Sequence, residues 1–473
     1  MPWTTIFASA EVTWILAVSV YLILQRRSPT ATLAWIFGLA LLPAVGFVAY
    51  FFFGPRRLVR KRRRKRLARS AVQTTAAEKA SAPPHPSDPA LASLAKLAER
   101  AGEGALARAD EVTLFDNGRD AYAAIVDAIE AATHHVHLEY FIWEGDRIGT
   151  RLRDLLARRS REGIRVRVLV DAMGSFGLTR SWIHELRSAG VEVEIFNEVG
   201  IARFRPRLIN FRSHRKIVVV DGKVGFTGGM NIVDYHSSEF AGEKAWRDTH
   251  ARIRGADAVR GLQLLFLEDW QYTSGDCPKG PEYFPRGAST GSELVQIVGS
   301  GPDSTFYPIH KMYFSAIATA RKRVFVTTPY FVPDEPIAHA LATAAMRGVD
   351  VRILVPSGSD SKLVSAAART YFEDLMRVGV RIWEYTPSML HAKTLVVDDE
   401  FAMVGTCNMD NRSFRLNFEC AAVFYGSATA EKLAEWFERD LTVGGDPVTM
   451  REVHPKFWQR LGENAARLLS PIL

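Results

Sequence analysis

Two octapeptides decide the reading: His214-Arg215-Lys216-Ile217-Val218-Val219-Val220-Asp221 and His391-Ala392-Lys393-Thr394-Leu395-Val396-Val397-Asp398. Both read H-x-K-x4-D, and they lie 177 residues apart. Each is followed at equal distance by small residues and an Asn, in Gly228-Gly229-Met230-Asn231 and Gly405-Thr406-Cys407-Asn408. Around them other segments match in the same order. Gly163–Val170 matches Gly348–Val355, Tyr140-Phe141 matches Tyr330-Phe331, and Ala189–Val193 matches Val378–Ile382, at offsets of 185 to 190. Matches in register at nearly constant offset mean two copies of one unit of about 180 residues. We place the copies at residues 111–290 and 291–473.

Within each copy strand and helix alternate. Residues 164–170 form a β-branched run suited to a buried strand, and Ile148, Leu152, Leu155 and Leu156 have helical spacing just before it. The expected fold class is α/β: two pseudo-symmetric α/β/α lobes.

On a strand, His and Lys at i and i+2 point to one face. Asp221-Gly222 is a two-residue turn signal between apolar runs. With those two residues as the turn, His214 faces Gly229 and Lys216 faces Thr227. In the second copy His391 faces Thr406 and Lys393 faces Val404. The hairpin then brings the glycines, where backbone can approach a ligand, to the side of the His. Asn231 and Asn408 lie just past the strand ends as side-chain donors. Asp221 and Asp398 fall at odd offset and sit at the turns, which points to an orienting or structural role.

Two such surfaces facing each other would hold a phosphate between two imidazoles. A neutral imidazole is a nucleophile, and the opposite one can protonate the leaving oxygen. Lys216, Lys393, Asn231 and Asn408 would stabilise charge on the phosphate oxygens. The cations come from the protein, so the reading requires no metal and no cofactor. A catalytic imidazole also needs an acceptor that fixes its tautomer. Glu419, 28 residues after His391, and Asp248, 34 residues after His214, are the candidates, one per copy. His134, His135 and His137 resemble a metal cluster, but they follow each other along a strand and lack the spacing of a zinc-binding helix.

The other end of the chain has a different solvent in view. Residues 4–24 are apolar apart from Glu11 and a few hydroxyls, and residues 31–53 carry no charge. Each is long enough for a membrane span of ~20 residues, so residues 1–54 read as a transmembrane helical hairpin. Pro43 and Gly46 mark a kink or re-entry in the second stretch. Ten cations and no acid follow between Arg56 and Arg69. Such a tract keeps its flank in the cytoplasm and attracts anionic headgroups. Residues 55–110 read as this tract plus a tether, with a short helix from Leu91 to Arg100. Formal charge is +8, of which the tract contributes ten, so the remainder is near −2 and does not suit nucleic acid. Cys277, Cys407 and Cys420 are too few and too scattered for a disulfide framework.

The paired motifs with their Gly-Gly and Gly-Thr tails resemble the phospholipase D superfamily. The chain further resembles the bacterial cardiolipin synthases in its N-terminal stretches, in Leu42-Pro43-Ala44-Val45-Gly46 with Tyr50-Phe51-Phe52-Phe53-Gly54, and in Met409–Phe414 with Asn417-Phe418-Glu419. Neither motif departs from the pattern. The resemblance implies two phospholipase D-like lobes sharing one active site. It implies transfer of a phosphatidyl group from one phosphatidylglycerol to another through a phosphatidyl-histidine, giving cardiolipin and glycerol. It implies a multi-pass protein of the bacterial inner membrane with a cytoplasmic catalytic body. It names the catalytic set His214, Lys216, Asp221, His391, Lys393 and Asp398, with His214 as nucleophile and His391 as acid. The residues alone leave that last assignment open, because both copies are intact. Hydrolysis of phospholipids by the same site is the rival reading, nuclease activity a weaker one, and the oligomeric state, homo-oligomer included, is left open.

Overall fold

The computed structural model describes residues 3–24, 29–42, 45, 46, 50, 84–101, 104–198, 210–285, 287, 289, 291–359, 361–450 and 456–470. An N-terminal unit, residues 1–57, separates from the body that carries both lobes.

The β-branched runs become strands, and those at the centre of each sheet are buried on both faces. In the first lobe these are β2 (Glu111–Phe115), β3 (His135–Tyr140), β4 (Arg165–Asp171), β5 (Glu192–Phe196), β6 (Lys216–Val220), β7 (Val224–Gly228) and β8 (His250–Arg254). Their order is β2-β8-β7-β6-β3-β4-β5. The second lobe contains β9 (Glu293–Ser300), β10 (Arg323–Thr327), β12 (Asp350–Pro356), β13 (Arg381–Tyr385), β14 (Thr394–Val397), β15 (Phe401–Gly405) and β17 (Glu419–Tyr425). Its order, β9-β17-β15-β14-β10-β12-β13, repeats the first position for position. The edges are extended by β1 (Ala107–Ala109) and β18 (Gly445–Pro447), and β11 (Phe331–Val332) pairs with β16 (Met409–Asp410). In both lobes the β3-β4-β5 and β10-β12-β13 sides are parallel and the motif side is antiparallel. The parallel side is joined by crossover helices such as Arg147–Arg161, which buries Ile148, Leu152, Leu155 and Leu156 as their spacing predicts. The two-lobed α/β architecture expected from the repeat is thus present.

One helix binds the lobes together. Ala256–Ser274 buries Leu262, Phe266 and Trp270, and it packs against strands of both sheets. Its Asp269 pairs with the fully buried Arg215 of the first motif.

Three expectations need correction. First, the motif hairpins turn through three residues, not two. β6 pairs with β7 as Ile217↔Thr227 and Val220↔Val224, and β14 pairs with β15 as Thr394↔Val404 and Val397↔Phe401. Lys393 therefore lies opposite Gly405, whose N–H donates to the Lys393 carbonyl at 3.2 Å. Asp221 and Asp398 both take the left-handed conformation, φ 52°, and in the first copy the N–H of Lys223 closes the turn on the Val220 carbonyl at 3.0 Å, leaving Lys223 as a third loop residue before β7. Second, residues 89–101 and 104–109 belong to the folded body. Helix Pro89–Arg100, capped by Asp88, buries Leu94, Ala95 and Ala98 in the second lobe's core, and β1 completes the edge of that lobe's sheet beside β9. Third, the apolar stretch 31–53 is not one continuous helix. Helix α1 covers Trp3–Ile23, but α2 covers only Pro29–Leu41, 13 residues. Pro43 disfavours helix in the residue before it. The ring of Tyr50 then meets Trp35 edge-on at 5.1 Å. A straight helix would hold those positions about 22 Å apart, so the chain doubles back. Among the described residues no helix is long and apolar enough to cross a membrane. The tract Arg56–Arg69 lies outside the described residues.

Candidate active site

His214 and His391 sit immediately before β6 and β14, at corresponding points of the two lobes, and both are buried. Each is pinned by its backbone to the opposite lobe. The N–H of His214 donates to the carbonyl of Phe418 at 2.9 Å, and the N–H of His391 donates to that of Arg247 at 2.7 Å. Short parallel bridges, Ser213↔Phe418 and Arg247↔Leu390, carry these contacts. Phe418 precedes Glu419 and Arg247 precedes Asp248, so each backbone pin delivers a carboxylate to the imidazole beside it.

The orienting pairs therefore cross between lobes. Both oxygens of Glu419 lie 3.0 Å from Nδ1 of His214, and Asp248 Oδ2 lies 2.6 Å from Nδ1 of His391. The two carboxylates singled out in the sequence each lie against an imidazole, but it is the other copy's His. A pairing made along the chain could not reveal this.

The environments of the two carboxylates differ. Glu419 also accepts from the Thr406 hydroxyl and, at 3.2 Å, from Asn417 Nδ2. Its pKa is held below the ordinary carboxylate value, because His214, Lys216 and Thr406 outweigh the opposing cost of burial, which alone would raise it. Asp248 accepts instead from the Thr249 N–H at 2.7 Å. Gly229 stands where Thr406 stands in the other copy. A Cβ there would lie 2.1 Å from Asp248 Oδ1, so the carboxylate occupies the space a side chain would need.

Burial is also the main force on the bases. It pulls His214 down to about 4, against the opposing pull of Glu419. It pulls His391 well below its ordinary value, with Lys393, Lys216 and His214 adding to the shift. The imidazoles of the two lobes thus feel each other's charge, and burial favours the neutral form of each. Lys216 is brought down to about 7 by burial, with Glu419 opposing and Lys393 assisting. Lys216 Nζ donates to the His214 carbonyl at 2.8 Å, and Lys393 Nζ donates to that of His391. Asn231 and Asn408 are buried; Asn231 Oδ1 accepts from the Ile142 N–H at 3.3 Å, and Asn408 Oδ1 has no hydrogen-bond partner.

Asp221 and Asp398 lie at the opposite end of their strands. Asp221 accepts from the backbone N–H groups of Thr133, His134 and His135, and Asp398 from those of Arg321, Lys322 and Arg323. Each fastens its motif hairpin to the neighbouring strand.

Sequence reasoning missed Thr406 and Asn417 as partners of Glu419, although both stood in the segments that carried the resemblance. It also missed His236. This fully buried imidazole has Nδ1 3.5 Å from Asp248 Oδ2. Among the described residues His236, Asp248 and His391 are the one group whose ligand atoms, within 4.8 Å of one another, could hold a metal ion. Asp248 is already engaged with His391 there. His134 meets Tyr283 edge-on, His135 lies tilted to the same ring, and His137 stacks on Phe266.

Comparison with known proteins is consistent with this arrangement. The family model described as "Cardiolipin synthase, PLD-like domain" matches residues 125–270 and 313–441, and one described as "Phospholipase_D-nuclease N-terminal" matches residues 12–55. A cardiolipin synthase of Alkalihalophilus pseudofirmus is 38% identical over 469 residues, 97% of this chain and 92% of that protein. One of Geobacillus thermodenitrificans is 41% identical over 456 residues, 95% of this chain and 90% of the relative. Among solved structures, the phosphatidylserine synthase of Haemophilus influenzae Rd KW20 aligns with a TM-score of 0.59 at 16% identity, covering 80% of this chain and all of that one, a likeness of fold.

Proposed function

The chain belongs to the cardiolipin synthase family of phospholipase D-like proteins, and from that premise we propose how its two lobes carry out phosphatidyl transfer. It is a phosphatidyltransferase, joining two phosphatidylglycerol molecules into cardiolipin with release of glycerol. The observation that carries the mechanism is the pair of buried imidazoles, each held at Nδ1 by a carboxylate of the opposite lobe. With Nδ1 engaged, Nε2 of each ring is the free nitrogen.

His214 Nε2 attacks phosphorus, and the P–O bond to the departing glycerol breaks. His391, which takes up a proton at Nε2 as the anionic phosphodiester docks beside it, gives that proton to the departing oxygen. In the second half the hydroxyl of another phosphatidylglycerol attacks the phosphatidyl-histidine. Its proton passes to His391, and the P–N electron pair returns to His214. Support for this assignment is the Glu419 environment: His214, Lys216 and Thr406 hold its pKa down against burial, and Thr406 and Asn417 fix the carboxylate behind His214. Lys216, Lys393, Asn231 and Asn408 take the phosphate oxygens, and no step needs a metal ion.

Residues 1–54 anchor the protein in the membrane, the cationic tract 56–69 rests on anionic headgroups, and the body faces the cytoplasm. Incubating the purified full chain with phosphatidylglycerol tests the reading. Cardiolipin and free glycerol in equal amounts are expected; phosphatidic acid as main product would overturn transfer in favour of hydrolysis.

A further inference from the structure

We propose that the helix Phe457–Arg467 is a membrane-docking element that seats the site-bearing side of the second lobe on an anionic phospholipid surface. This inference rests on the lipid reading above and adds a surface to it.

The helix is turned inside out for a soluble protein. Glu463, Ala466 and, just past its end, Ser470 are the residues it buries. Phe457, Trp458, Leu461 and Leu468 are exposed, at 71, 77, 51 and 81%. At ~100° per residue those four cluster on one stripe, roughly opposite the packed one. Four large apolar side chains aligned on one outward face differ from the scattered apolar residues of an ordinary surface.

The flanking charge selects the occupant. Lys456, Arg460 and Arg467 are exposed beside the stripe. The acid of the helix, Glu463, is buried and accepts from Gln459 Nε2 at 3.0 Å. An apolar face with an interfacial Trp and a cationic rim is the composition of a helix lying in the plane of a bilayer with anionic lipid. A second copy seated face to face would bring like cations together with no outward acid between them.

The helix is tied to the site. Ala466 packs with Val332 and Ala367, Tyr371 hydrogen-bonds Ser470 at 3.4 Å, and the Arg467 guanidinium lies 4.5 Å from the Tyr371 ring centroid. Val332 pairs with Asp410, two residues past Asn408. A bilayer engaged by the outward stripe therefore lies beside the lobe's phosphate-binding end, where a lipid substrate must enter.

The test uses the full chain in vesicles of phosphatidylglycerol and phosphatidylcholine. A bimane probe on Leu461→Cys, in a Cys277→Ser background, should shift to the blue and be quenched by phosphatidylcholine brominated in its acyl chains. Absence of quenching overturns the proposal. The triple variant Phe457→Ser, Trp458→Ser, Leu461→Ser should lose at least tenfold in turnover of vesicle phosphatidylglycerol. It should keep its turnover of short-chain phosphatidylglycerol below the critical micelle concentration. Equal rates on both substrates, equal losses on both, or a change from dimer to monomer with vesicle turnover intact would each overturn it. Failure of the parent enzyme on the short-chain substrate would count against the transferase reading, while the quenching result still decides the docking surface.

Discussion

Glu419 in the second lobe holds Nδ1 of His214 in the first, with both carboxylate oxygens at 3.0 Å. The mirror contact, Asp248 on His391 at 2.6 Å, makes the exchange reciprocal. Neither lobe by itself contains an oriented histidine. The site exists only when the two docked faces, bonded through Phe418 and Arg247, are in register.

Glu419→Gln should lower kcat by about 10–100-fold with KM little changed, the usual range for losing a carboxylate behind a functional imidazole. Steady-state kinetics on phosphatidylglycerol checks it. With a p-nitrophenyl leaving group, which needs no proton from His391, a larger effect on formation of the His214 adduct from Asp248→Asn than from Glu419→Gln would contradict the crossed pairing.

The roles of the two histidines separate by leaving group. With a p-nitrophenyl phosphodiester lipid the departing oxygen needs no proton. His391→Ala should then still release one equivalent of nitrophenol in a burst, and His214→Ala should release none. Mass spectrometry should find the lipid adduct on His214. A burst from His214→Ala instead would reverse the assignment.

Lys216 sets an alkaline limit. Burial lowers it to about 7, so in the free enzyme its ammonium is present below that pH and lost as pH rises through it. kcat/KM should fall as rising pH makes the proton His391 needs scarcer, and loss of the Lys216 ammonium should steepen that fall above about pH 7. A bound phosphate stabilises the ammonium, so the same limb in kcat should lie at higher pH. His214, lowered to about 4, is neutral above that value and adds no acid limb near pH 6. A kcat/KM that is flat from about pH 6 to 9 would contradict this account.

Gly229→Ala should damage chemistry rather than folding. The new methyl would meet Asp248 Oδ1 at 2.1 Å and displace the carboxylate from His391. A fall in kcat of about tenfold or more is expected, with Tm lowered modestly. Activity equal to the parent would show that Asp248 does not position His391.

Asp221→Ala should do the reverse. It strips acceptors from three backbone N–H groups of residues 133–135 and should cost about 2 kcal/mol of stability in denaturant unfolding. The hydrogen bonds hold the Asp221 pKa below its ordinary value. Its contribution is therefore present above the ordinary carboxylate pKa and lost as pH falls through the lowered one. Turnover per folded molecule should change only a few-fold, and a loss as deep as that of His391→Ala would assign Asp221 to the chemistry.

Much of this was legible before any coordinates. The in-register motifs announced two equivalent lobes, and the α/β alternation announced the sheets. His214, Lys216, His391, Lys393 and the carboxylates Asp248 and Glu419 were all identifiable by type and spacing. The turn is one residue longer than its Asp-Gly signal suggests, because nothing in the composition shows that Lys223 and Glu400 stay outside the ladder. Residues 89–109 read as a tether because Ala-rich composition conceals a face that packs only against the second lobe.

The duplication, the strands and the inventory of reactive groups were determined by the sequence, since periodicity and spacing are local properties of a chain. Which carboxylate serves which histidine was decided by tertiary structure alone. That choice is made by hydrogen bonds between segments about 200 residues apart, Ser213 beside Phe418 and, more closely spaced in sequence, Arg247 beside Leu390. No spacing within either copy encodes a contact that forms only when both copies fold and dock.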